Sequence, residues 1–115
     1  MPELDGKLDG VAIRVPTPNV SVVDLTFESS KSTTESEINS YIENASLSDL
    51  KGILGFTKEK LVSMDVNHDP HSSIFAADQT KVLQNNMVRV LSWYDNEWGF
   101  SNRMSDTALE MAKFL

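Results

Sequence analysis

The alternation of apolar and polar residues predicts several short strands along the chain. Residues 20–27 alternate loosely and are rich in Val, Leu and Thr, which is typical of a strand. Residues 61–66 are a further candidate strand, and residues 74–77 and 80–83 predict two short ones. Residues 87–94 give the clearest strand pattern in the chain. We therefore expect a sheet of about five strands.

The first predicted helix begins at Thr34. Glu37 follows three residues later, and this spacing forms a capping box in which each side chain accepts a hydrogen bond from the other residue's backbone N–H. Ile38, Tyr41 and Ile42 then recur at helical spacing. The pattern predicts one amphipathic helix that continues to about residue 45.

A second helix is predicted from Gly99 to about Phe114. Its apolar stripe comprises Phe100, Met104, Ala108, Met111 and Leu115. So wide a stripe indicates a partner outside this chain or self-association. The order of strands, a helix, more strands and a closing helix predicts the α+β class, with a mixed, largely antiparallel sheet covered by helices on one face.

Composition narrows the classes of partner. The 115 residues include 17 acids and 10 bases, for a net charge of −7, which disfavours binding to nucleic acid and to anionic membrane surfaces. No apolar run approaches 20 residues, and the acidic N-terminus lacks the apolar region of a secretory signal. The chain has no Cys, so we expect neither disulfides nor thiol chemistry from it, and a cytoplasmic location is the default.

Arg14 is the first candidate binding residue. It interrupts the apolar run 11–15, where an arginine is costly to bury unless it meets an anion. Its planar guanidinium fits a phosphate or a carboxylate through two parallel hydrogen bonds. The alternative is an edge-strand arginine that faces solvent or pairs with an acid.

Asn96 is the second candidate, within the segment 93–99 (WYDNEWG). Its carboxamide carries both a donor and an acceptor, so it suits another amide such as the nicotinamide carboxamide. The alternative is that Asp95 or Asn96 caps the following helix and that the aromatic residues belong to the core.

His68 and His71 suggest a metal-binding module as a further alternative. Imidazole and carboxylate groups bind Zn²⁺, but a structural zinc site needs four well-placed ligands, and no others stand at a familiar spacing. We therefore expect a surface turn and no metal.

Two long segments resemble the glyceraldehyde-3-phosphate dehydrogenase family: residues 14–25 (RVPTPNVSVVDL) and 92–103 (SWYDNEWGFSNR). Residues 52–57 and 72–75 lie between them in the family's order. The resemblance covers nearly all of this chain but only about the last third of a family member. It implies that residues 1–115 are the C-terminal portion of the catalytic domain, that 98–115 is the closing helix, and that the Rossmann domain is absent from this chain.

The resemblance also implies roles for both candidates. Arg14 matches the family's phosphate-binding arginine, and Asn96 matches the asparagine that hydrogen-bonds the nicotinamide of NAD. The implied partners are glyceraldehyde 3-phosphate, inorganic phosphate and further copies of the chain in a homotetramer. The family's nucleophilic Cys and its activating His lie upstream of the matched region, so this chain carries no catalytic residue and is expected to be inactive alone. Phe100 departs from the family, because many members have Tyr there.

Two other functions fit the same residues. Erythrose-4-phosphate dehydrogenase is a sister enzyme, and residues 67–72 and 98–100 look somewhat like that branch. A non-enzymatic interaction domain that self-associates through its apolar helix is the other alternative.

Overall fold

Five strands and two α-helices make up the fold of residues 2–115, the part of the chain that the computed structural model describes. The strands are β1 (Ser21–Glu28), β2 (Leu54–Thr57), β3 (Ser73–Ala76), β4 (Lys81–Leu83) and β5 (Met87–Tyr94). The helices are α1 (Glu35–Leu47) and α2 (Trp98–Ala112), and three short 3-10 helices occupy Pro2–Leu4, Ser63–Val66 and Ala77–Gln79.

β5 is the strand on which the sheet is built. The strand order is β1-β5-β3-β2, and β4 also pairs with β5. β5 is antiparallel to β1, β3 and β4, whereas β2 and β3 are parallel to each other. The predicted α+β class with a mixed, largely antiparallel sheet is therefore confirmed.

The pairing of β1 with β5 fixes the geometry of one end of the sheet. It extends over all eight residues of β1, from Ser21 opposite Tyr94 to Glu28 opposite Met87. The start of β1 consequently lies beside the end of β5.

The core is small. One buried cluster joins Val20, Val66 and Ile74, with Trp93 packed against it, and Val88 is completely buried elsewhere in the sheet. Few side chains are fully removed from water. Hydrogen bonds made by buried polar groups are therefore important in holding the loops in place.

α1 begins as the sequence predicts. Thr34 accepts a hydrogen bond from the N–H of Glu37 at 3.2 Å, and the Glu37 carboxylate accepts from the N–H of Thr34 at 2.9 Å. The helix packs against β2, and Asn39 fixes it further by donating to the carbonyl of Ala77 and accepting from the hydroxyl of buried Thr80.

Two predictions of local structure are wrong. Residues 61–66 contain a 3-10 helix rather than a strand, because the Asp65 carboxylate accepts from the N–H of Val62 and the Asp65 N–H donates to the Val62 carbonyl. Such local bonds compete with a strand ladder. The alternative that placed Arg14 in an edge strand is also wrong, because the run 11–15 is exposed and irregular.

β2 was not predicted, and it depends on contacts distant in sequence. A side-chain carbon at Gly55 would lie 3.0 Å from Ile74 and 3.3 Å from the His71 ring. Glycine normally weakens a strand, but here it allows both side chains to approach the backbone.

α2 confirms the predicted closing helix, and its whole predicted stripe is exposed. Phe100, Met104 and Met111 each expose at least 60% of their surface. Among residues 2–115, no helix is both long and apolar enough to cross a bilayer.

The substitution Thr34→Ala removes one half of the capping box. We expect it to lower the free energy of unfolding by about 1 kcal/mol, because the N–H of Glu37 loses its acceptor. Urea unfolding followed by circular dichroism measures the change. Ser36→Ala, an exposed change in the same helical turn, is the control and should not destabilise the chain; equal behaviour of the two variants would contradict the capping role.

Candidate functional site

The candidate site lies at the junction between β5 and α2. β5 ends at Tyr94 and α2 begins at Trp98, so the connection consists of residues 95–97. The sheet register places Ser21, the first residue of β1, opposite Tyr94. The junction therefore brings Asn96 beside the segment that leads into β1.

Asp95 is the buried centre of this junction, with only 4% of its surface exposed. One carboxylate oxygen accepts from the backbone N–H groups of Glu97 at 3.1 Å and Trp98 at 2.8 Å. The other accepts from the backbone N–H of His68 at 3.0 Å and from the side-chain amide of Asn19 at 2.8 Å. The N-cap of α2 is Glu97, so the alternative that Asp95 or Asn96 occupies the capping position is wrong. Asp95 nevertheless binds the N–H groups of Glu97 and Trp98, where the chain enters α2.

The same four hydrogen bonds explain the acidity of Asp95. Burial by itself raises the pKa of a carboxyl group, but the bonds from the His68, Trp98 and Glu97 backbones and from Asn19 outweigh it and lower the pKa to about 2. The group is therefore a carboxylate at neutral pH, and it acts as an acceptor only.

Asn19 connects the carboxylate to Asn96. Its side-chain NH₂ donates to Asp95 and, at 2.8 Å, to the oxygen of Asn67. Its side-chain oxygen accepts from the backbone N–H of Asn96 at 3.3 Å. The orientation of the Asn19 amide follows, because a carboxylate requires a donor and a backbone N–H requires an acceptor.

The carboxamide of Asn96 is exposed and held from one side. Its oxygen accepts from the Ser21 hydroxyl at 2.5 Å. Among residues 2–115 its NH₂ group donates to no acceptor, so this end of the amide is available to a ligand. The structure therefore places Asn96 in a position that suits the role implied for it.

Arg14 lies apart from this network, in an exposed segment without regular structure. The other two arginines form ion pairs, Arg89 with Asp24 and Arg103 with Asp106, whereas Arg14 pairs with no acid among residues 2–115. Asn19 follows Arg14 by five positions, so the chain keeps their Cα atoms within roughly 18 Å. The structure leaves the guanidinium open to an anion but does not bring it into contact with Asn96.

The two histidines have separate partners. The His68 ring stacks on Trp98 with centroids 4.6 Å apart, and Nδ1 of His71 lies 2.7 Å from the Asp69 carboxylate. No group of three or more His, Cys, Asp or Glu side chains within residues 2–115 has an arrangement that suits a metal ion. The geometry gives the metal-binding alternative no support.

Close packing at Gly99 fixes the position of the first turn of α2 against the loop 70–72. A side-chain carbon there would lie 2.6 Å from the carbonyl oxygen of His71. Arg103, one turn further on, donates to the carbonyl of Pro70 and the hydroxyl of Ser72. The first turn of α2 is therefore anchored on the 70–72 loop, although the rest of the helix is exposed.

Sequence reasoning did not find Asn19, Ser21 or Asn67 as parts of this site. They lie 77, 75 and 29 positions from Asn96 in the sequence. The pairing of β1 with β5 and the loop after the 3-10 helix Ser63–Val66 bring them together. The one signal was that Asn19 and Ser21 belong to the first long segment of resemblance.

Fold and site together define an α+β domain that presents a carboxamide beside a buried carboxylate, at the point where a central strand enters the closing helix. Residues 1–96 match the family described as glyceraldehyde 3-phosphate dehydrogenase, C-terminal domain, and the chain belongs to this family.

Several curated proteins are similar over the whole chain. The chain is 66% identical to a glyceraldehyde-3-phosphate dehydrogenase of Cereibacter sphaeroides over 115 residues, which cover 100% of this chain and 34% of that protein. It is 64% identical to the protein of that name from Xanthobacter flavus, over 98% of this chain and 34% of the relative. The corresponding protein of Zymomonas mobilis is 57% identical over 100% of this chain and 34% of its own length. The chain thus spans about a third of the length of these relatives.

The substitution Asp95→Asn tests the network at the junction. It places an NH₂ group against donors, so we expect it to destabilise the chain by about 2 kcal/mol at pH 7. Because the folded-state pKa of Asp95 is lowered to about 2, its stabilising effect is complete above the ordinary value of 3.8 and is lost as the pH falls from about 4 to about 2.

Urea unfolding at a series of pH values measures this effect. The difference in unfolding free energy between the original chain and Asp95→Asn should shrink across that pH range. Asp49→Asn, at an exposed site, is the control and should destabilise the chain much less than Asp95→Asn at pH 7. A constant gap for Asp95→Asn would show that the carboxylate charge is unimportant.

Proposed function

We propose that this chain is part of an NAD-dependent, phosphorylating glyceraldehyde-3-phosphate dehydrogenase of glycolysis. In that enzyme Asn96 orients the nicotinamide, and Arg14 binds the phosphate of the substrate or the inorganic phosphate that enters the reaction. The observation that carries the proposal is the exposed Asn96 amide, whose oxygen is held by Ser21 and whose NH₂ group is available to a ligand. The chain's membership of the glyceraldehyde 3-phosphate dehydrogenase family supports the proposed reaction.

The residues present fit the coenzyme that the family implies. An amide on a rigid strand–helix junction positions a flat ring through its substituent without touching the reacting carbon, and such positioning accelerates a reaction by orientation. NAD, when bound, supplies the hydride acceptor. The contribution of this chain is to hold the ring in one orientation.

Arg14 supplies charge complementarity. An exposed guanidinium without an acidic partner among the described residues is ready to bind a phosphate, and its fork offers two charge-assisted hydrogen bonds. The nucleophilic thiolate must come from another part of the enzyme, because this chain has no Cys. We therefore propose that residues 1–115 alone do not catalyse the oxidation.

The exposed apolar surface supports a larger assembly. Val23, Leu25 and Phe27 on β1 each expose over 40% of their surface, and α2 exposes its whole stripe. So much apolar surface is unusual for a domain that works alone. We propose that the rest of the enzyme packs on it, α2 against the dinucleotide-binding domain, within a homotetramer; the self-associating interaction domain remains the alternative that the following test addresses.

A hybrid enzyme provides the experiment. It joins all 115 residues to the N-terminal two thirds of the Cereibacter sphaeroides relative, in place of that protein's own last third. We expect the hybrid to form NADH from NAD, glyceraldehyde 3-phosphate and inorganic phosphate, and this chain alone to form none. Rates measured with erythrose 4-phosphate as the substrate show whether the hybrid has the activity of the sister enzyme instead. A folded, oligomeric hybrid without either activity would argue for the non-enzymatic alternative.

Arg14→Ala in the hybrid should lower kcat/KM for glyceraldehyde 3-phosphate by about ten- to a hundredfold, because a charge-assisted pair of hydrogen bonds is lost. The effect should appear in the KM of the aldehyde or of inorganic phosphate and leave the KM of NAD unchanged. Lys7→Ala removes an exposed cation at a nearby position and is the control. Unchanged kinetics in Arg14→Ala would remove Arg14 from the site.

Asn96→Ala should instead raise the KM of NAD by about tenfold, the value of one hydrogen bond, while the KM of the aldehyde stays the same. Steady-state rates at varied NAD measure the change. Asn44→Ala, an exposed asparagine on α1, is the matched control. A change confined to the aldehyde would mean that Asn96 does not contact the coenzyme.

A further inference from the structure

We infer that Ser21 is a positioning residue for the coenzyme: its hydroxyl turns the Asn96 carboxamide so that only the NH₂ end faces the ligand. The inference rests on the proposed function and adds which atom of Asn96 is offered and what holds it there. It also assigns to the first residue of β1 a part in coenzyme recognition.

The hydrogen bond from Ser21 ends on the oxygen of the Asn96 carboxamide. A hydroxyl group can donate, and an amide oxygen can only accept. With its oxygen held by Ser21, the amide directs its NH₂ group away from Ser21.

The backbone of Asn96 is fixed independently. Its N–H donates to the side-chain oxygen of Asn19, and the Asp95 carboxylate sets the orientation of that amide. The remaining freedom is rotation of the Asn96 side chain, in which the two ends of the amide exchange places. Of the residues that the structure describes, Ser21 alone makes a side-chain hydrogen bond that distinguishes those ends.

Ser21 is itself held in place by the sheet. It pairs with Tyr94, and Tyr94 is two residues before Asn96. This pair stands at the end of a pairing that extends over the whole of β1. A hydroxyl on a paired strand keeps its position better than one on a loop, so it imposes its orientation on the exposed amide.

The consequence for recognition is specific. An amide that offers only N–H donors binds the carbonyl oxygen of the nicotinamide substituent and does not read its NH₂ group. A coenzyme whose carboxamide is replaced by an acetyl group keeps this oxygen and should satisfy Asn96 equally well.

Equilibrium binding to the hybrid enzyme tests the inference with three probes. NAD carries the whole carboxamide, 3-acetylpyridine adenine dinucleotide keeps only its carbonyl, and ADP-ribose lacks the ring. Ser21→Ala should weaken NAD and the acetyl analogue by the same factor, about three- to tenfold, and leave ADP-ribose unchanged. Ser21→Thr keeps the hydroxyl and should restore the affinity; Ser36→Ala, on the exposed face of α1, should change nothing.

The outcomes separate this inference from the proposed function. If the unsubstituted hybrid binds neither NAD nor ADP-ribose, the proposed function fails and the inference fails with it. If it binds all three probes and Ser21→Ala leaves the ratio of NAD to ADP-ribose affinity unchanged, only the inference is overturned. A loss for NAD but not for the acetyl analogue also overturns it, because Asn96 would then be reading the NH₂ group. An equal loss for all three probes overturns it too, since it would indicate a general disturbance of the fold.

Discussion

The carboxylate of Asp95 is the group on which the rest of the candidate site depends. It accepts hydrogen bonds from the segment before β1, from the loop that contains His68, and from Glu97 and Trp98 where the chain enters α2. These three stretches are far apart in sequence, and a charged acceptor with several donors is a strong way to hold them together. A neutral side chain of the same size offers fewer acceptor sites, so the arrangement requires the ionised form.

The sheet explains why so much depends on one polar group. β5 pairs with three other strands, yet the buried apolar cluster beside the junction contains only Val20, Val66 and Ile74, with Trp93 packed against it. A core of this size contributes little to the stability of the fold, because a small domain buries a smaller share of its surface than a large one does. The exposed apolar faces of β1 and α2 are the surfaces on which we propose that the remaining two thirds of the dehydrogenase pack.

The two candidate residues differ in how far the tertiary structure supports them. Asn96 lies in a network that fixes its backbone and its side-chain oxygen, which is what a residue that orients a ligand needs. Arg14 is exposed on an irregular segment and is connected to the same network only through the chain that leads to Asn19. The structure therefore holds the side chain of Asn96 through other residues of this chain, whereas Arg14 forms no ion pair among residues 2–115.

The sequence by itself determined the elements whose signals are local. The capping box of Thr34 and Glu37, the strand 87–94, the closing helix and the two segments of resemblance were all legible from neighbouring residues, because capping, periodicity and motif spacing act over a few positions. Only the tertiary structure decided that Gly55 lies in a strand and that Asn19 and Ser21 hold Asn96. These depend on contacts between residues far apart in the chain, and a local pattern carries no information about which distant side chain will fill a given space or accept a given hydrogen bond.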